Sequence, residues 1–150
     1  MPKALEQMQQ LVRGEVPLPP IARLIGFEVT AVESGRVVVE LAADERFANP
    51  MGTLHGGVLC DIADAAMGMA YASRLQDGES FTTLELKINF LKPVWRARLR
   101  AVGTVVKMGR TVGLVECEIC DEQRALVAKV SSTCMTLRGE AAAGRSVQVG

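Results

Sequence analysis

The sequence lacks an excess of either charge, because its 17 Lys and Arg residues balance its 17 Asp and Glu residues. A chain with no net charge has no overall field that would attract nucleic acid or an anionic membrane surface. We therefore expect no nucleic-acid partner, and any anionic ligand must meet a local cluster of cations. The length of 150 residues is that of one domain large enough to bury a core.

Cysteine and histidine are also scarce, since the chain has four cysteines and one histidine. The cysteines lack the spacing of a disulfide framework, so we interpret them as reduced thiols, which favours the cytoplasm. Cys117 and Cys120 form a CxxC motif, but in an alternating strand a spacing of three places the two thiols on opposite faces. With no second cysteine pair and a single histidine, we expect no metal site.

A long apolar run is missing as well. The most apolar stretch, residues 58–72, includes Asp61 and Asp64 and is shorter than the roughly 20 apolar residues of a membrane span. Residues 1–17 lack the apolar core of a secretion signal. We therefore predict a soluble cytoplasmic protein with no membrane partner.

Periodic patterns of apolar residues divide the chain into helices and strands. Residues 57–73 are apolar or small on nearly every side, which is typical of a helix that other structure encloses. In residues 81–90 the alternation predicts Leu84 and Leu86 on one face of a strand and Thr83 on the other, polar face. The remaining predicted elements are a helix over 4–13, a small turn over 21–26, a loop over 44–54, and strands over 27–33, 36–43, 98–107, 111–120 and 125–137.

The last four strands are joined by turns that are too short for crossover helices, so they must run antiparallel. One enclosed helix then has to be covered by the sheet. The sequence therefore predicts an α+β fold in which a curved antiparallel sheet wraps around one long central helix. We divide the chain into an N-terminal helix and linker (1–19), the folded domain (20–138) and a flexible tail (139–150).

A set of spaced residues surrounds the start of the enclosed helix. Asn49 and Gly52 precede the triplet HGG (55–57), and Asp64 stands nine residues after the histidine. The segment LKINFLKPV (86–94) lies near the end of the strand that follows. In this order the residues resemble the hotdog-fold acyl-CoA thioesterases, specifically the phenylacetic-acid-degradation (PaaI-like) group.

The resemblance covers about residues 20–138 and implies a hydrolase that cleaves the thioester of an aryl- or medium-chain acyl-coenzyme A to free acid and CoA. It also implies a homodimer or a dimer of dimers (homotetramer) with sites at the subunit interface. No cofactor is expected, since coenzyme A is part of the substrate. Hotdog relatives have other functions as well. The alternatives are a non-catalytic acyl-CoA binding or sensing protein and a hydratase or dehydratase, which would use a histidine as base.

Two groups on the predicted helix suit thioester chemistry. The backbone N–H of Gly56 lies where the helix begins, and the positive end of the helix dipole favours a developing oxyanion there, although the glycines also permit a tight turn. By its position in the family Asp64 acts as nucleophile or as general base for water, and the residues leave both roles open. Asp61 could be a second carboxylate at the site, but its favourable interaction with the helix dipole is the simpler explanation.

The roles of the other site residues follow from the resemblance. Asn49 and His55 orient the carboxylate or the substrate and hold the loop, and His55 takes no part in proton transfer. Thr83 matches a Ser or Thr that places water in some relatives, but an ordinary β-branched strand residue explains it equally well. Gly57 and a turn between two strands would bind the coenzyme. The residues of this turn are Lys107, Gly109, Arg110 and Thr111.

Overall fold

The computed structural model describes residues 1–146 of the chain. Helix α1 spans Lys3–Val12, helix α2 spans Pro20–Ile25 and the long helix α3 spans Gly56–Ala72. Short 3-10 helices occupy Glu45–Phe47 and Gly139–Ala142. The strands are β1 (Glu28–Glu33), β2 (Arg36–Ala43), β3 (Ser80–Phe90), β4 (Ala97–Met108), β5 (Val112–Cys120) and β6 (Leu126–Leu137). None of the helices in this part of the chain is long and apolar enough to span a membrane.

The six strands form one antiparallel sheet in the order β1-β2-β4-β5-β6-β3. Short turns join β4 to β5 and β5 to β6, and such connections permit only antiparallel neighbours. Strand β3 lies at the far edge of the sheet, where it pairs with β6. The sheet curves around α3, which packs against β2, β3, β4, β5 and β6. The predicted α+β fold is confirmed.

Helix α3 lies close to the sheet because the residues between them are small. An added Cβ at Gly103 on β4 would lie 2.5 Å from the carbonyl carbon of Ala66, so only glycine fits there. Ala66 and Tyr71 are fully buried. The Tyr71 hydroxyl forms a hydrogen bond of 2.6 Å with the Thr136 hydroxyl, which satisfies the polar atom that the ring carries into the core. This packing fixes the position of the helix and of both its ends.

Two segments are more ordered than predicted. The expected turn before β1 is the short helix α2, with Pro20 at its first position and Gly26 ending it in the left-handed conformation at a φ of 91°. The expected flexible tail begins with a 3-10 helix, and the Ser80 hydroxyl donates a hydrogen bond to the Arg145 carbonyl. Residues 147–150 of this predicted tail lie outside the described residues. The domain boundaries stay a prediction.

The predicted faces of β3 are wrong in its first half, because a β-bulge interrupts the alternation. Thr83 pairs with Cys134 and Glu85 pairs with Thr133, so Leu84 is the extra residue. Directly paired residues of antiparallel strands share a face, and Cys134 is buried. Thr83 therefore faces α3, whereas Leu84 is 52 % exposed.

Candidate active site

Helix α3 begins with a capped turn that leaves one amide free. His55 is the N-cap, and its Nδ1 accepts a hydrogen bond of 2.9 Å from the Gly57 N–H. The Val58 N–H donates to the His55 carbonyl at 3.0 Å. No acceptor among residues 1–146 pairs with the Gly56 N–H. This donor therefore stands unpaired at the positive end of a 17-residue helix, which is a favourable place for an anion.

Asn49 holds the loop that leads into α3. Its side-chain Nδ2 donates to Thr53 Oγ1 at 2.8 Å, and its Oδ1 accepts from the N–H groups of Met51 and Thr53 at 3.0 and 3.2 Å. The Leu54 N–H then donates to the Val94 carbonyl at 2.7 Å, which ties the loop to the segment after β3. The Asn49 side chain is thus engaged within the loop, which is consistent with its predicted role of holding the loop.

A cavity of about 380 Å³ opens beside the free amide. Gly56, Asn49 and Lys92 contribute to its polar side. Its size lies in the range of small-molecule sites. Sequence reasoning missed its walls, because apolar residues that line a cavity follow the same periodicity as residues of the core. The apolar walls are Leu54, Leu59, Phe90, Leu91, Pro93 and Val94.

The Lys92 ammonium group at this cavity already has a partner. Its Nζ donates to Asp121 Oδ2 at 2.5 Å, and Asp121 is buried. The Asp121 Oδ1 also accepts from the N–H groups of Gln123 and Ala125, which closes the turn between β5 and β6. The hydrogen bond from Lys92, together with these backbone donors, holds the pKa of Asp121 below its usual range. Lys92 is therefore committed to an ion pair that anchors the wall of the cavity.

Asp64 lies about two turns further along α3 than Gly56. The side chain is exposed on the free chain, at an open cleft of about 430 Å³ between α3 and β3. Thr83 Oγ1 donates to Asp64 Oδ1 at 3.3 Å. The bulge at Leu84 makes this contact possible, because it turns Thr83 toward the helix. A strand residue and a helix residue thus meet at this cleft.

Asp61 is the more unusual of the two carboxylates. Its Oδ2 is buried, and no hydrogen-bond partner for it exists among the described residues. Burial raises the pKa of Asp61, and the nearby charge of Asp64 raises it further. A carboxylate that only interacted with the helix dipole would not need a buried, unpaired oxygen. The dipole explanation of Asp61 is therefore incomplete.

The two candidate groups on α3 lie far apart within one chain. Asp64 follows Gly56 by eight residues of regular helix, which corresponds to about 12 Å along the axis. One carbonyl group cannot touch both. We therefore distinguish an amide half-site (Asn49, His55, Gly56 and the 380 Å³ cavity) from a carboxylate half-site (Asp64, Thr83 and the 430 Å³ cleft).

Comparison with known proteins identifies the family of this chain. Residues 51–128 match the model of the thioesterase superfamily. The matched stretch includes the HGG triplet, Asp64 and Thr83. The chain belongs to the thioesterase superfamily. As predicted, it is a hotdog-fold thioester hydrolase of the PaaI-like kind.

Three relatives illustrate the similarity. The thioesterase is 36 % identical over 118 residues to a protein of Saccharolobus solfataricus that is named an esterase, with 79 % of this chain and 84 % of the relative covered. It is 31 % identical over 103 residues to the 1,4-dihydroxy-2-naphthoyl-CoA hydrolase of Listeria monocytogenes, with 69 % and 84 % covered. The crystal structure of a phenylacetic acid degradation-related protein from Ralstonia eutropha JMP134 matches with a TM-score of 0.77 at 33 % identity, with 86 % and 98 % covered.

The cysteines of this thioesterase are poor nucleophiles. All four are free thiols, and burial raises the pKa of each. For Cys117, which faces the core, the pKa rises to about 12, while Cys120 lies on the other face of the strand and is partly exposed. Because the thiolate is the reactive form of cysteine, these shifts leave Asp64 as the stronger candidate for attack or base catalysis.

The predicted coenzyme-binding turn of the thioesterase lies away from its own amide half-site. The turn joins β4 to β5, and Gly113 just after it contacts the ring of Tyr71 near the C-terminal end of α3. Tyr71 follows Gly56 by 15 residues, which is about 22 Å of helix. The Gly57 amide is occupied by His55. The structure therefore does not bring the turn and the HGG triplet together within one chain.

Proposed function

We propose that this thioesterase hydrolyses the thioester bond of an acyl-coenzyme A at a site shared by two subunits. The observation that carries the proposal is the unpaired Gly56 N–H at the start of α3, beside a cavity of about 380 Å³. A carbonyl oxygen bound there would accept this hydrogen bond and gain more from it as negative charge develops. The names of the Listeria and Ralstonia relatives support an aryl acyl group as the substrate class.

Asp64 supplies the second half of the proposed reaction, by one of two routes. As nucleophile, its carboxylate attacks the carbonyl carbon, the C–S bond breaks, CoA leaves as a thiolate and water hydrolyses the anhydride. As general base, Asp64 removes a proton from the water that attacks directly, and that proton goes to the leaving thiolate. In both routes the hydrogen bond from Thr83 holds the carboxylate in place. No cofactor takes part.

The distance of about 12 Å between the two groups supports a homodimer in which Gly56 of one subunit faces Asp64 of the partner subunit. Strand β3 offers the surface for this pairing, because it is an edge strand with an exposed Leu84 beside the carboxylate half-site. A two-fold axis through such an edge gives two equal sites. The further pairing of dimers into a tetramer, and the cytoplasmic location, stay predictions.

The nucleotide end of the substrate is assigned to the turn between β4 and β5. Lys107 and Arg110 are exposed and supply positive charge for phosphates, while Gly109 and Thr111 shape the turn. We expect Lys107→Ala to raise KM for acyl-CoA severalfold with kcat unchanged, because the phosphates bind alike in ground state and transition state. Steady-state kinetics of wild type and variant measure both constants. A fall in kcat at unchanged KM would contradict the assignment.

A panel of acyl-CoAs tests the proposed function. Loss of the thioester absorbance is the better readout, because a thiol reagent would also react with the partly exposed Cys60 and Cys120. We expect turnover of at least one aryl acyl-CoA, and a fall of about 10²-fold or more for Asp64→Asn, as for the loss of a general base or nucleophile. Absence of any turnover by wild type, or full turnover by Asp64→Asn, would overturn the proposal.

The same panel distinguishes a thioesterase from the two alternative functions. A sensing or binding protein would retain an acyl-CoA without releasing CoA. A dehydratase would convert a hydroxyacyl-CoA to an enoyl-CoA, which needs a base. His55 is poorly placed for this, since its Nδ1 caps α3 and the neutral ring then carries its proton on Nε2.

A further inference from the structure

The aromatic ring of Phe90 lies directly against the start of α3. Phe90 is the last residue of β3, and its side chain is 56 % exposed. An added Cβ at Gly56 would lie 2.7 Å from Phe90 Cζ and 2.9 Å from Cε1. The absence of a side chain at position 56 is therefore what lets the ring pack on the helix backbone.

The same ring forms part of the wall of the cavity at the amide half-site. Leu54, Leu59, Leu91, Pro93 and Val94 complete this apolar wall. A carbonyl oxygen bound to the Gly56 N–H would bring the carbon atoms next to the carbonyl into contact range of the ring. Apolar walls suit the acyl group rather than the charged end of coenzyme A.

Within a single chain the ring is only partly packed. It meets Gly56 through Cζ and Cε1, the outermost atoms of the side chain, and more than half of the residue is open to solvent. Leu59, another wall residue, is buried in the core. Leu91 is as exposed as Phe90, but Phe90 is the wall residue whose ring lies against Gly56, so its size changes the space beside the carbonyl most directly.

We propose that Phe90 determines selectivity: its ring limits the bulk of the acyl group next to the thioester carbonyl. This inference rests on the proposed function and adds to it a residue that the predicted site did not include. Replacing the ring by a methyl group enlarges the cavity at the point where the acyl chain leaves the carbonyl. Acyl groups that carry more bulk at the carbon next to the carbonyl are then hydrolysed faster relative to small ones.

The test compares acetyl-CoA with benzoyl-CoA as substrates of wild type, Phe90→Ala and Phe90→Leu. For Phe90→Ala we expect the ratio of kcat/KM for benzoyl-CoA over acetyl-CoA to rise by about tenfold or more, the scale of discrimination by one or two carbon groups in an apolar pocket. Phe90→Leu should fall between wild type and Phe90→Ala. Trp95→Ala is the matched control, because Trp95 is an aromatic residue of similar exposure, 61 %, that does not line the described cavity. Its ratio should stay within twofold of wild type.

A second arm tests the contact between the ring and Gly56. In Gly56→Ala the new methyl group must displace the Phe90 ring. The ratio of kcat/KM for benzoyl-CoA over acetyl-CoA should therefore change in this variant too. In Gly56→Ala/Phe90→Ala the clash is gone, and we expect activity toward benzoyl-CoA to recover relative to Gly56→Ala. A Phe90 residue that only supported the fold would give no such recovery.

The possible failures are distinguishable. An unchanged ratio in both Phe90 variants, with both substrates losing activity together, would overturn the inference while leaving the proposed function intact. If wild type hydrolyses no acyl-CoA of the panel, the proposed function is overturned instead. In that case calorimetry measures the dissociation constants of acetyl-CoA and benzoyl-CoA for wild type and the Phe90 variants. A change of their ratio in Phe90→Ala supports the inference, and an unchanged ratio overturns it.

Discussion

The two half-sites of α3 differ in how complete they are within one chain. At the amide half-site, His55 and Asn49 hold the backbone with hydrogen bonds, and a cavity of about 380 Å³ lies beside the unpaired Gly56 N–H. At the carboxylate half-site, Asp64 is exposed in an open cleft and has one hydrogen bond of 3.3 Å. In the proposed reaction, this difference means that one chain preorganises the binding of the carbonyl but leaves the carboxylate of Asp64 in an open cleft.

The largest effect is expected at the amide half-site, from Gly56→Pro compared with Gly56→Ala. Both variants place a Cβ against Phe90, but only proline removes the N–H. Gly56 is the first residue of α3, where proline is favourable, and the preceding His55 already has a ψ of 130°, which proline permits. We expect kcat of the proline variant to be about 10²- to 10³-fold below that of the alanine variant. Equal activities would show that the amide does not polarise the carbonyl.

A smaller effect is expected at the carboxylate half-site, from Thr83→Val. Valine keeps the β-branched shape but cannot donate to Asp64. The loss of one hydrogen bond should lower kcat about tenfold, at unchanged thermal stability. Thr82→Val is the control, because Thr82 pairs with Met135 on the other face of β3. A fall of the same size in this control would mean that the strand, and not the hydrogen bond, is responsible.

The smallest effect is one on stability, from Asp61→Asn. The pKa of Asp61 is raised in the folded chain, so its contribution to stability is greatest below the ordinary value of 3.8 and is lost as pH rises through the raised value. Asparagine carries no charge to bury. The free energy of unfolding should therefore rise by about 1 kcal/mol at pH 7.5, the low end for a buried unsatisfied group because Asp61 is only partly buried.

Urea unfolding at pH 7.5 and pH 4 measures this effect. The gain should shrink at the lower pH, where a larger fraction of wild-type Asp61 is protonated because its pKa is raised. An equal gain at both pH values would assign the effect to packing instead of charge. A loss of stability in the dimer would indicate that a group of the partner subunit hydrogen-bonds the buried oxygen.

Periodicity and turn length were enough to predict the fold, because both act locally. The enclosed character of α3 and the short turns after β4 and β5 are visible in the order of the residues. The bulge at Leu84 is not visible, because the segment TLELKI alternates without interruption through it. The alternation therefore predicts the wrong face for Thr83.

The site was predictable where a spaced motif marks it and hidden where distant segments meet. The HGG triplet and Asp64 stand out by type and spacing. The contact between Phe90 and Gly56 joins the end of a strand to the start of a helix, and an apolar strand residue gives no sign of such a contact. Nor does sequence reveal that Gly56 and Asp64 are about 12 Å apart and belong to different half-sites.

Mixed dimers test the central claim, that Gly56 of one subunit acts with Asp64 of the partner subunit. Gly56→Pro and Asp64→Asn chains carrying different tags are co-expressed and purified through both tags in turn. In a shared site, each mixed dimer has one site with both defects and one with neither, so its activity should be about half that of wild type. Activity no higher than that of the two parent variants would contradict the claim, because it would mean that each site is built from a single chain.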